Sequence, residues 1–198
     1  MISALTFKEL NKKIQKRYDY GEQRVVGIIL ARYDIDVTKR MIEQCYNYWH
    51  LNSKKYFDIF WAGYGEYLAP NEESSTKIIL KYLENKNNAY FDLKAFIEFK
   101  EQFNMHFKKT PYEDRIVLAL INYRNGKLHF DESIKIDLEE NIDNNYAKIR
   151  KIIEFITMEC RYQHQVEPIA KKILLDRFKN FIKGITISEI INLIVSAK

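Results

Sequence analysis

Apolar positions recur along this chain at two spacings, and the change between them marks out the elements. Phe7, Leu10, Ile14 and Tyr18 follow at helical spacing, and Thr6-Phe7-Lys8-Glu9 has the form of a capping box, so a helix is expected there. From Arg24 to Tyr33 the run Val25-Val26-Gly27-Ile28-Ile29-Leu30-Ala31 is apolar on both parities, as a strand covered on both faces would be. Asp34 and Asp36 offer N-caps to a second helix, with Val37, Met41, Cys45 and Trp49 along one side, ending near Asn52. The aromatic stretch Lys55 to Tyr64 is strand-like, and strand, helix and strand in this order predict a right-handed crossover with a parallel pair.

Pro70, Asn71, Glu72 and Glu73 predict another helix, with apolar positions Ile78, Ile79, Tyr82 and Leu83, ended by the Asn-rich segment Asn85 to Asn88. Between Tyr90 and Phe107 two periods compete. Phe91, Leu93 and Ala95 alternate like a strand, whereas Phe96, Phe99 and Phe103 repeat like a helix, and mostly helix is expected. From Arg115 to Phe130 the run Ile116-Val117-Leu118-Ala119-Leu120-Ile121 is separated from Lys127-Leu128-His129-Phe130 by Arg124-Asn125-Gly126. Asn-Gly favours a type I′ turn, so an antiparallel hairpin is predicted, its first arm central and its second an outer strand with a bulge.

Beyond Glu139 the chain reads as helices. Ile142, Tyr146, Ile149, Ile153 and Ile156 form one stripe, and Ile169, Ile173, Leu174, Phe178 and Phe181 form another, stopped by Gly184. Thr186-Ile187-Ser188-Glu189 then opens a last helix, apolar almost all round, so Ile187, Ile190, Ile191 and Ile194 are expected to be an interface, either with the rest of the fold or with a second subunit. The fold class is therefore α/β: a mixed sheet of three or four strands with helices on both faces, plus a helical C-terminal portion. Residues 1–138 form the core with its N-terminal helix, and residues 139–198 pack on it within one domain.

With 46% hydrophobic and 30% charged residues over 198 positions, the chain carries one sizeable core, which excludes disordered, collagenous and disulfide-scaffold classes. A net charge of +5, from 32 basic and 27 acidic residues, permits weak attraction to polyanions but does not imply it. Basic clusters such as Lys12-Lys13-Ile14-Gln15-Lys16-Arg17 read most simply as solvated helix faces, with nucleic-acid contact the minor reading. Cys45 and Cys160 stand far apart without ligand-spaced neighbours, so neither a disulfide framework nor a zinc site is expected. No signal-peptide core and no span of roughly 18 apolar residues is present, which predicts a cytoplasmic chain without membrane contact.

Ligands of open α/β sheets settle beyond the carboxyl ends of parallel strands. That edge should carry Arg32, Tyr33, Asp34 and Asp36 after one strand, and Tyr64, Glu66 and Tyr67 after the next. Arg32, Asp34, Asp36 and Glu66 are the catalytic candidates, and the three tyrosines the ligand-binding ones. The alternative is that Asp36 caps its helix, Arg32 pairs with an acid and the tyrosines pack with their tips in water. Asp34-Ile35-Asp36-Val37-Thr38 resembles the Asp-x-Asp-x-Thr motif of haloacid-dehalogenase-type phosphatases. The Ser or Thr that the resemblance requires near Ala62 to Tyr64 is missing, as is a later acidic pair for magnesium. Histidines 50, 106, 129 and 164 fall in four different elements without a triad partner, and the clustered glycines lack a phosphate-loop pattern, so no metal or cofactor is expected.

Phe60-Trp61-Ala62-Gly63-Tyr64-Gly65-Glu66-Tyr67 resembles the Phe-Trp-Ala-x-Trp-Cys-Gly-Pro-Cys stretch that ends a central strand of thioredoxins, and the Arg124-Asn125-Gly126-Lys127 hairpin resembles their last two strands. The likeness spans Lys55 to Ile156. It implies a thioredoxin-like sheet, with a Rossmann-like one as the other arrangement, and it departs from the family where the thiols belong, at Gly65 and Leu68. Disulfide exchange requires a thiolate, so the resemblance implies a redox-inactive scaffold kept for binding. A non-catalytic protein-binding or assembly module is the expected function, joined to a protein partner or a second copy through the C-terminal helix. The alternative is an enzyme acting on a nucleotide or phosphate-containing substrate at the strand ends.

Overall fold

The computed structural model describes residues 2–53, 56–67, 75–80, 89–138 and 146–175. The chain runs β1 (Ile2–Ala4), α1 (Phe7–Arg17), β2 (Arg24–Leu30), α2 (Asp36–Ser53), β3 (Asp58–Ala62), β4 (Tyr64–Gly65), β5 (Lys77–Ile79), β6 (Tyr90–Asp92), α3 (Leu93–His106), β7 (Val117–Arg124), β8 (Lys127–Asp137), α4 (Tyr146–Cys160) and α5 (Val166–Leu175). Five strands form the main sheet in the order β1-β3-β2-β7-β8. The first three are parallel, and β7 and β8 are antiparallel to their neighbours. This is the α/β class with a mixed sheet that the hydrophobic pattern implies, with one strand more than the upper count expected. The extra strand is Ile2-Ser3-Ala4, too short for any period to register.

The strand order decides where the helices lie. The β1-to-β2 connection crosses the sheet past β3, and the β2-to-β3 connection returns, so right-handed crossovers put α1 and α2 on opposite faces. Accordingly α1 packs with β1 and α3, and α2 packs with α4. Because both faces are covered, β2 and β7 bury almost every residue and show no alternation. The capping box forms as spaced: Glu9 N donates to Thr6 Oγ1 at 3.1 Å, and Leu5 N donates to Glu9 Oε2 at 3.0 Å. Asn125 and Gly126 take positive φ of 49° and 77°, the geometry of the expected Asn-Gly turn. The bulge falls in β8, where Phe130, Asp131 and Glu132 slip out of register between the Ile121–Ser133 and Asn122–His129 pairs.

Among the described residues, 77–79 form a strand where a helix is expected. Ile78 and Ile79, assigned to a helix opened by Pro70 to Glu73, lie on β5, which pairs with β6 in a second sheet ordered β4-β6-β5. The two-residue spacing of Lys77 and Ile79, and backbone pairing with Tyr90 to Asp92, outweigh the helical reading of so short a segment. Pro70 to Glu73, Tyr82 and Leu83 lie outside the described residues, as do Phe178, Phe181, Gly184 and the whole run from Ile187 to Ala197. No helix among the described residues is long and apolar enough to cross a membrane.

Gly63 joins the two sheets. Its N–H donates to Ala4 O at 3.0 Å, and its carbonyl accepts from Asp92 N at 2.9 Å. Asp92 in turn caps α3 by accepting from Lys94 N at 3.0 Å and Ala95 N at 3.3 Å. At the amino end of β3, the buried Asp58 accepts from Arg17 Nε at 2.6 Å, Arg17 Nη2 at 2.9 Å and Tyr18 OH at 2.5 Å. Arg24 lies over the Tyr18 ring, 4.6 Å from its centre. Burial first, and then Asp58, push the Tyr18 phenol well above its ordinary range, so it stays a proton donor.

Candidate functional site

The adjacent parallel strands β2 and β3 send their following segments to opposite faces, so the crevice between their carboxyl ends is the place where this architecture could hold a ligand. After Leu30 the chain turns through Ala31 to Ile35, with Ile35 N donating to Arg32 O at 3.3 Å, and enters α2 through Lys39 N to Ile35 O at 2.8 Å. After Ala62 it folds back at Gly63 into β4, which places the Tyr64 ring in the crevice. Tyr64 is fully buried and its hydroxyl donates to Ala31 O at 2.9 Å, tying the two strand ends together. Trp61 meets its ring edge-on at 5.5 Å, and Phe91 lies at 5.1 Å. An aromatic plug thus occupies the crevice.

Two of the charged candidates beside it, Arg32 and Asp34, are paired with each other. Arg32 grips Asp34 with two parallel bonds, Nε to Oδ1 at 3.1 Å and Nη2 to Oδ2 at 2.6 Å. Asp114 approaches Arg32 at 3.8 Å and binds Lys100 Nζ at 2.9 Å, so two cations and two carboxylates alternate in one string. The bond to Asp34 is the main reason that the Arg32 guanidinium is held above its usual range. Tyr33 is buried and donates to Glu43 Oε1 at 2.8 Å, and burial, followed by Glu43, raises its phenol. Asp36 is exposed in the first turn of α2.

Glu66 stands in a different group, at the outer edge of β1. It accepts from Ser3 Oγ at 2.8 Å and Lys13 Nζ at 3.0 Å, and these bonds hold its carboxyl below the usual range against the upward push of burial. Glu66, Lys13, Lys16, Arg17 and Ile2 line an open concavity of about 410 Å³. Most of its charges are shared out too: Lys13 also meets Glu9 at 2.8 Å and Arg17 is held by Asp58, while Lys16 is exposed. Tyr67 projects nearby, 62% exposed. The structure therefore brings Arg32 and Asp34 together, packs Tyr33 and Tyr64 inside, and ties Glu66 to the β1 edge. Lys100 and Asp114 belong to the Arg32 group without any mark in the sequence, because no local period connects positions so far apart.

Nothing at these strand ends supplies a thiol. Gly65 lies on β4 rather than at the start of a helix, and Leu68 lies outside the described residues. The helix that does follow a strand end, α2, begins after Arg32-Tyr33-Asp34-Ile35, with no cysteine at the position where a helix N-terminus would lower a thiol's pKa. Cys45 is buried inside α2, and burial pushes its thiol up to about 11; Cys160 is likewise pushed up to about 12. No family model, curated protein or solved structure matches the chain.

Proposed function

We propose that this chain is a non-catalytic binding or assembly module built on a thioredoxin-like scaffold without thiol chemistry. The observation that carries the reading is the state of the crevice between β2 and β3: Tyr64 fills it, and Arg32, Asp34, Asp114 and Lys100 satisfy one another around it. A catalytic crevice needs groups held ready for a substrate, and desolvated or unpaired titratable groups are its usual mark. The scaffold reading is supported by three parallel strands followed by the β7–β8 hairpin and a helix, and by the high thiol pKa values of both cysteines. The partner is a protein or a second copy of this chain, met through the apolar run holding Ile187, Ile190, Ile191 and Ile194. No cofactor takes part, and the cytoplasm is the compartment.

The test is a screen of the full chain against phosphate esters, nucleotides and single-stranded nucleic acid, in parallel with Asp34→Asn. Background turnover and no saturable nucleotide binding are expected from both proteins. Turnover or binding that disappears in Asp34→Asn, with the melting temperature nearly unchanged, would overturn the reading in favour of an enzyme at this edge.

A further inference from the structure

The irregularity of the hairpin gathers three metal-ligating groups that strict alternation keeps apart. Along a regular strand His129 and Glu132, an odd number of residues apart, face opposite sides. In β8 His129 pairs with Asn122 while Ser133 pairs with Ile121, so the slip of Phe130 to Glu132 reverses the alternation and returns Glu132 to the Asn122 side. Asn122 Nδ2 confirms the placement by donating to Glu132 Oε2 at 2.7 Å. One ligand atom each from His129, Asp131 and Glu132 then lies within 4.8 Å of the other two.

We propose that this bulge is a binding site for one borderline divalent cation of the zinc type. One imidazole and two carboxylates are a donor set that suits zinc, whose bonds of about 2.1 Å set tetrahedral ligands roughly 3.4 Å apart. Ligand atoms that already lie within 4.8 Å of one another come to that spacing within one rotamer change, which Asp131, exposed at the rim, is free to make. The polar environment supplies the second, independent sign of a ligand. His129 Nε2 is enclosed and has no hydrogen-bond partner, which is costly for a ring nitrogen unless something else engages the imidazole. No hydrogen bond, ion pair or ring contact among the described residues engages the side chain of His129 or Asp131. Glu132 is held at both oxygens, by Arg124 Nη2 and by Asn122 Nδ2, and such outer partners orient a ligating carboxylate. With Arg124 counted, the site carries one net negative charge before a cation arrives. Water completes the coordination on the exposed side.

The experiment uses the full chain, stripped with a chelator and titrated with zinc chloride by calorimetry at neutral pH. One zinc per chain is expected. His129→Ala and Asp131→Asn should each weaken it at least about tenfold. His164→Ala, at an exposed histidine outside the hairpin, serves as the control and should bind as wild type. Far-UV circular dichroism establishes that the hairpin variants are folded. No saturable zinc binding by the wild type, or an affinity that folded His129→Ala and Asp131→Asn leave unchanged, would overturn the proposal.

Discussion

Asp58→Ala is expected to destabilise the protein by about 3–5 kcal/mol, the cost of breaking a buried pair from one side. Asp58 is 3% exposed and accepts from Arg17 twice and from Tyr18 once, with Arg24 a further 3.9 Å away. Removing the carboxylate leaves a buried phenol without an acceptor and Arg17 without its counter-charge, while Arg24 keeps Glu22. Arg17 is 45% exposed and can turn to water, which favours the lower end of the range. Asp58→Asn keeps the volume and an acceptor for Tyr18, so its cost should be smaller. Urea unfolding checks both: the midpoint should shift in that order with an unchanged slope. Equal midpoints for wild type and Asp58→Ala would show that the network contributes no net stability.

Gly63→Ala should cost about 3 kcal/mol or more, for two reasons that add. Its φ of +79° lies in the left-handed region, where an L side chain costs about 1–2 kcal/mol. A Cβ there would also stand 2.6 Å from Phe96 Cβ and 2.9 Å from Phe96 Cα, and backbone cannot swing aside as a side-chain tip can. Relief requires α3 to move, which breaks the Asp92 cap and the join between the two sheets. Gly21→Ala is the matched control: nothing lies within 4 Å of its Cβ, so it should be neutral or slightly stabilising. Thermal melts that place both variants within a degree of wild type would contradict this reading of Gly63.

These two positions also show what the sequence makes legible. The strand Val25 to Leu30, the Asn-Gly hairpin with its bulge, the Thr6 capping box and the helices around Met41 and Ile153 are written in local periods and turn chemistry, and the structure follows them. What is missing depends on distant partners. Ile2 to Ala4 form a strand only because β3 pairs with them, and Ile78 is in a strand rather than a helix only because Phe91 stands opposite. The candidate site divides in the same way. Arg32 and Asp34, two positions apart, can be paired by inspection, whereas Asp114, Lys100 and the Tyr64 hydroxyl reach Arg32, Asp114 and Ala31 only through the fold. At the hairpin, periodicity predicts that a bulge exists but not its register, and the register is what sets Glu132 beside His129.

The mass in solution tests most directly whether this chain works by association rather than by chemistry at its strand ends. Light scattering should be run across concentration on wild type, on Arg32→Ala/Asp34→Ala and on Ile191→Glu, each with its circular dichroism spectrum recorded. Wild type and the strand-end variant are expected to give the mass of a dimer, and Ile191→Glu the mass of a folded monomer, because a carboxylate in an apolar interface costs several kcal/mol. A dimer that persists in folded Ile191→Glu, or a wild type that stays monomeric while turnover depends on Asp34, would contradict an assembly role through the C-terminal run.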